Sequence, residues 1–221
     1  MPYGGWLSEA QGGGLAWIGR HAYDGPDNTL PGMRGSINLT AVRGTTAHDF
    51  LTRMGADPGL LARAVPFREI GERWADDDYK DWECMFAQVG EWTVILESSQ
   101  CATWYLNWIE EVGEAIPREG EELVCVTLNK HQAPPRLLYS PRNGEVWNRE
   151  FGQDFIDAYR PDDPTGRVAA FDAALRDIGV AGDDHLAPRV YAVVGEHLGI
   201  DVPHRDVEEG LLPSAALPDP T

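Results

Sequence analysis

Ser98, Ser99 or Cys101 could each serve as a nucleophile at a helix N-terminus, Cys101 being the sharper candidate, and an acid such as Glu97 could take part. Ser98 and Ser99 read as a helix start just before the thiol. A helix N-terminus favours a thiolate, and a nearby carboxylate can carry a proton. The same thiol also falls on a stripe with Trp104, Tyr105, Trp108, Val112 and Ile116, whose spacings of three and four mark one helix face. A cysteine on such a face is expected to pack as a small hydrophobe. The enzyme reading is therefore the alternative: a hydrolase or transferase acting on a small molecule, its pocket lined by Trp104, Tyr105, Trp108 and Trp147, with Cys101 or Glu97 taking part. Glu91, Glu110 and Glu111 could join Glu97 at one sheet edge, but acids are too plentiful here for that to single out a pair.

No metal and no cofactor is expected. The six histidines contain no H-x-x-x-H pair, and Cys84, Cys101 and Cys125 form no C-x-x-C. Asp183-Asp184-His185 reads as a helix cap, and Asp24-Gly25-Pro26-Asp27-Asn28 lacks the glycine and glutamate of a calcium loop. Gly12-Gly13-Gly14 lacks the lysine of a phosphate loop, and neither G-x-G-x-x-G after a strand nor G-x-S-x-G occurs.

A binding module needs only a surface. Arg68 to Asp81 reads as an exposed loop in which Trp74, Tyr79 and the following Trp82 flank Asp76, Asp77 and Asp78. Aromatic anchors beside charge are common at interface hot spots. Folding of the aromatics onto the sheet, with the acids facing water, is the other reading of the same residues. Eighteen Lys plus Arg against 36 Asp plus Glu leave a net charge of -18, which repels nucleic-acid backbones and anionic membranes and attracts a basic protein. Reduced cysteines, no basic-then-apolar leader and no membrane-spanning apolar run point to the cytoplasm. The function expected is a non-enzymatic protein-binding factor, regulatory, immunity-like or accessory, for a basic partner.

The elements that would position these groups centre on Cys84 to Glu97, two apolar halves meeting at Val89-Gly90-Glu91. Trp92, Val94 and Leu96 alternate with Thr93, Ile95 and Glu97, which predicts a strand with the first three on one face. Strands are predicted at 37–43, 84–89, 92–97, 123–128, 136–139 and 145–151, with Asn143-Gly144 turning the last pair. Thr46 and Asp57-Pro58 open short helices, Gly55 ends the first, and Val168, Phe171, Leu175 and Ile178 then Leu186, Val190, Val194 and Leu198 stripe two more. A short helix around Val207 to Leu212 leads into a Pro-rich tail. The fold expected is α+β: a mostly antiparallel sheet of five or six strands, helices on one face and a helical C-terminal portion. Its parts are a Gly-rich N-terminal arm at 1–35, partly anchored by residues such as Leu15, Trp17 and Ile18, a sheet domain at 36–155 and the helical portion at 156–221, packed as one unit.

Three stretches carry a family likeness: Phe50-Leu51-Thr52-Arg53-Met54-Gly55-Ala56-Asp57-Pro58, Val89-Gly90-Glu91-Trp92-Thr93-Val94, and His197-Leu198-Gly199-Ile200. Together with the Asn143-Gly144 hairpin, they make the chain resemble an actinobacterial, Streptomyces-type family of uncharacterised proteins over roughly residues 36 to 218. The resemblance implies a shared fold and a bacterial cytosolic origin. It brings no catalytic residues and no cofactor.

Overall fold

A computed structural model describes residues 14–27, 29–70, 82–99, 101, 117–129, 136–144, 146–151, 157–159, 163, 165–176, 178 and 186–218. The predicted helix over 101–116, the acidic segment 71–81 and the Asp183-Asp184 cap lie outside these residues or, for the helix, almost wholly outside.

The fold is α+β on an antiparallel sheet. Its strands are β1 (Ile37–Arg43), β2 (Trp82–Val89), β3 (Trp92–Ser98), β4 (Glu122–Thr127), β5 (Arg136–Pro141), β6 (Trp147–Glu150), β7 (Asp157–Tyr159) and β8 (Ser214–Leu217), in the order β7-β6-β5-β4-β1-β3-β2-β8. The sheet therefore has eight strands rather than five or six. The two additions are edge strands that give little sequence signal: β7 is three residues long, and β8 is a small-residue run in the Pro-rich tail that pairs with β2 through Trp82 and Leu217.

Local chemistry explains the helices. In α2 (Ala47–Arg53) the Thr46 hydroxyl accepts from the Asp49 amide at 3.1 Å, and in α3 (Pro58–Leu61) the Asp57 carboxylate accepts from the Leu60 amide at 2.9 Å with Pro58 in the first turn. Gly55 stops α2 at φ +99°. The other helices are α1 (Ala16–Arg20), α4 (Arg167–Arg176), α5 (Leu186–Leu198) and α6 (His204–Glu208).

The helices cover both faces of the sheet, not one. On the first face Ile37, Leu39, Ala41, Trp92, Val94, Leu96, Val124, Val126, Leu137 and Tyr139 pack with residues of α1, α4, α5 and α6. On the second, Val42, Ile95, Leu123, Cys125 and Leu138 pack with Phe50, Leu51, Met54 and Leu61 of the α2–α3 region. Hence β1 and β3 are buried on both sides. Residues 15–33 join this core: Leu15, Trp17, Ile18, Ala22 and Met33 are buried, and Trp17 Nε1 donates to the Val202 carbonyl at 3.1 Å. Gly19 lets α1 cross α5 backbone to backbone, since a Cβ there would lie 2.5 Å from the Ala187 carbonyl carbon. The final short helix spans 204–208, a little before the predicted 207–212. No helix among the described residues is long and apolar enough to cross a membrane.

Candidate functional site

Strand alternation turns Glu97 to the second face, opposite Cys84 of β2 and Asn38 of β1. Thr40 and Cys125 oppose each other one row further on. Cys101, just past β3, drops onto this row. Its Sγ donates to Glu97 Oε2 at 3.3 Å and sits 3.5 Å from Cys125 Sγ and 3.9 Å from Thr40 Oγ1. Asn129 closes the end of the group, its Nδ2 donating to Asn38 Oδ1 at 2.7 Å. The structure thus brings the two residues of the enzyme reading into contact.

It also shows what surrounds them. Cys101 is fully buried and Glu97 is 2 % exposed. A nucleophilic thiolate needs access to solvent. At Cys84, burial pushes the thiol well up, and the charge of Glu97 adds to that. The three thiols behave as core groups. Under native conditions a soluble maleimide is expected to label Cys84, Cys101 and Cys125 only after unfolding; fast, pH-dependent labelling of Cys101 alone would restore it as a nucleophile. Of the aromatics in that reading, Trp147 is wholly buried on the first face, away from this thiol row, so it lines no pocket with Cys101. Trp104, Tyr105 and Trp108 lie outside the described residues.

Of the acidic-loop residues, Trp74, Asp76, Asp77, Asp78 and Tyr79 also lie outside them, whereas the backbone of Trp82 is the first residue of β2 rather than loop. Both ends of the acidic segment are nevertheless placed. One is Trp82, paired with Leu217 of the edge strand β8. The other is Ile70, which follows a 3-10 turn at Phe67–Glu69 and is 4 % exposed. Ile70 lines a cleft with Leu60, Leu61, Ala64 and Val65 on the α3 side and Ala215 on β8. The cleft is about 40 Å³ in volume, and Leu60 at its rim is 39 % exposed. Ser214 anchors β8 to this region, its amide and hydroxyl donating to the Val65 carbonyl at 3.0 and 2.8 Å.

A third constellation was not foreseen from the sequence. Glu122 opens β4 opposite Arg43 of β1 and Pro141 of β5. Its Oε2 accepts from Arg43 Nε at 2.8 Å and Nη2 at 2.6 Å, from Arg142 Nε at 3.2 Å and from Arg167 Nη1 at 3.0 Å. Its Oε1 accepts from the Tyr139 hydroxyl at 2.7 Å. Burial works to raise the Glu122 pKa, but Tyr139, Arg43 and Arg167 outweigh it and the net shift is downward. The carboxylate is ionised at neutral pH, and its stabilising effect is lost only as acid carries the pH down through that lowered pKa. Tyr139 is pushed up, first by burial and then by Glu122.

No family model matches the chain, and neither a curated protein nor a solved structure matches it.

Proposed function

We propose that this chain, of the actinobacterial family its sequence resembles, is a non-enzymatic cytosolic binding factor, regulatory, immunity-like or accessory, whose acidic surface takes a basic protein partner. The observation that carries this reading is the cleft between α3 and β8, whose lining residue Ile70 comes just before the segment 71–81 that holds Asp76-Asp77-Asp78 in the sequence. At about 40 Å³ the cleft has room for the tip of one apolar anchor. Pockets for small molecules run to roughly 300–1,000 Å³. An apolar notch on a chain of net charge -18 suits a protein that carries an aliphatic or aromatic side chain among lysines and arginines. The helical C-terminal portion and α1 act in this reading as the rigid backing that holds the sheet edge in place.

The test is a pull-down from host lysate at low and high salt with three baits: wild type, Asp76→Asn/Asp77→Asn/Asp78→Asn, and Leu60→Ala at the exposed rim. A basic partner is expected on the wild type at low salt, released at high salt, and lost or strongly weakened on both variants. Absence of a partner at low salt, or equal retention by the neutralised bait, would overturn the proposal.

A further inference from the structure

Three arginines share one carboxylate oxygen, in a chain whose net charge is -18. Two of the three break a local rule to be there. Arg142 sits at φ +76°, a left-handed backbone that a residue with a Cβ rarely adopts and that glycine or asparagine would fill at no strain. Arg167 is the first residue of α4, a ten-residue helix, and so places a cation at the end of the helix that already carries positive partial charge. Departures of this kind cluster where a sequence serves binding rather than stability.

Glu122 alone cannot balance the group. It supplies one negative charge to three guanidiniums, none of which can shed its proton. Among the described residues, Glu91 touches Arg43 only at 3.4 Å and is 81 % exposed, so water screens it, and the Asp163 carboxylate is engaged by the Ala169 amide at 2.9 Å in the first turn of α4. Arg142 and Arg167 each give one nitrogen to Glu122 and are each 43 % exposed, so most of the five N–H donors on each fork remain for a ligand from solvent. Arg43 is fixed more tightly, by two nitrogens on Glu122 and by stacking 4.7 Å over the Trp92 ring. The base of the site is therefore rigid: a buried carboxylate, a buried tyrosine and an anchored arginine hold the two outer guanidiniums over one point.

We propose that Arg142 and Arg167, gathered with Arg43 on Glu122, form a binding site for a phosphate-type dianion, such as the phosphate group of a small phosphorylated ligand. The excess of positive charge calls for a doubly charged group. Two guanidinium forks offer the N–H donors that a tetrahedral oxyanion takes up. This site is separate from the α3–β8 cleft and asks for the opposite charge, so the two proposals stand or fall independently.

Inorganic phosphate is the probe, measured by thermal shift and calorimetry on the full chain at mildly alkaline pH, against chloride at equal ionic strength and against acetate. Saturable stabilisation by phosphate, absent with chloride and much weaker with acetate, is expected. Arg142→Gly and Arg167→Gln should each weaken phosphate binding roughly tenfold or more, the scale of losing a charge-assisted hydrogen bond. Glycine suits the backbone at position 142, so that variant keeps its fold and its loss of binding reads on the guanidinium. Glu122→Gln, if folded, should bind phosphate more tightly than wild type. No phosphate effect beyond chloride, acetate binding as well as phosphate, or unchanged phosphate affinity in Arg142→Gly and Arg167→Gln would overturn the proposal.

Discussion

Trp92→Ala should cost about 3 to 5 kcal/mol of folding stability, a large part of the roughly 5 to 15 that a domain of this kind possesses. Trp92 stands on β3, near the middle of the sheet, and is 2 % exposed within the first-face core. Truncation there opens a cavity between the sheet and α5. It also removes the indole N–H that donates to the Leu198 carbonyl at 3.0 Å, leaving the last turn of α5 without that cap. Arg43 loses the ring over which it stacks. Chemical denaturation measures the loss, and a cost below about 1 kcal/mol would mean that this strand is not central to the core.

Asp172→Ala is the second large effect, again expected at about 3 to 5 kcal/mol. Asp172 of α4 is buried at 3 % and forms an ion pair with Arg149 of β6, whose Nη1 lies 2.7 Å from Oδ1 and whose side chain is only 2 % exposed. Arg176, one turn on, holds the other carboxylate oxygen from the solvent side. Arg149 also donates to the carbonyls of Asp172 and Leu175 at 3.2 and 3.3 Å, so its guanidinium is pinned in place. Removing the carboxylate takes this counter-charge from a buried cation, which costs more than the pair contributes when both are present. For that reason Arg149→Met combined with Asp172→Ala should recover most of the loss, because an apolar pair of similar volume avoids the buried charge. A double variant no more stable than Asp172→Ala alone would show that the cost lies in packing.

Much of the fold was legible in the sequence. Alternation of Trp92, Val94 and Leu96 set β3 and its core face, Asn143-Gly144 set the β5–β6 hairpin, and the Thr46 and Asp57 caps set α2 and α3. What escaped were features decided by distant partners. Ser214–Leu217 is a strand because β2 offers it a ladder, not because its own residues prefer one. The alternation of Ile37, Leu39 and Ala41 with Asn38, Thr40 and Val42 suits a half-buried strand, yet Asn38 and Thr40 are buried, Asn38 against Asn129 and Thr40 across from Cys125. Exposure could not be inferred from polarity, because a buried polar side chain with partners costs little.

The sites divide in the same way. Glu97 near the end of β3 and Cys101 just past it come into contact, and Cys101 packs into the second-face core, as expected of a cysteine in an apolar segment. The meeting of Arg43 with Glu122 spans 79 positions and depends on which strand lies beside β1, so no local pattern announces it. Two signals were present all the same: an arginine inside the Pro-Arg-Asn-Gly turn and an arginine opening a helix, each in a place where its type is disfavoured.

The central claim, that the acidic run Asp76-Asp77-Asp78 draws a basic partner, is tested most directly by the association rate of the captured partner as a function of ionic strength. Between about 0.01 M and 1 M salt the Debye length shrinks from roughly 30 to 3 Å. The account predicts an association rate that falls at least about tenfold over this range with a nearly constant dissociation rate, and a much flatter dependence for the Asp76→Asn/Asp77→Asn/Asp78→Asn variant. An association rate independent of salt, or the same slope for wild type and variant, would contradict it.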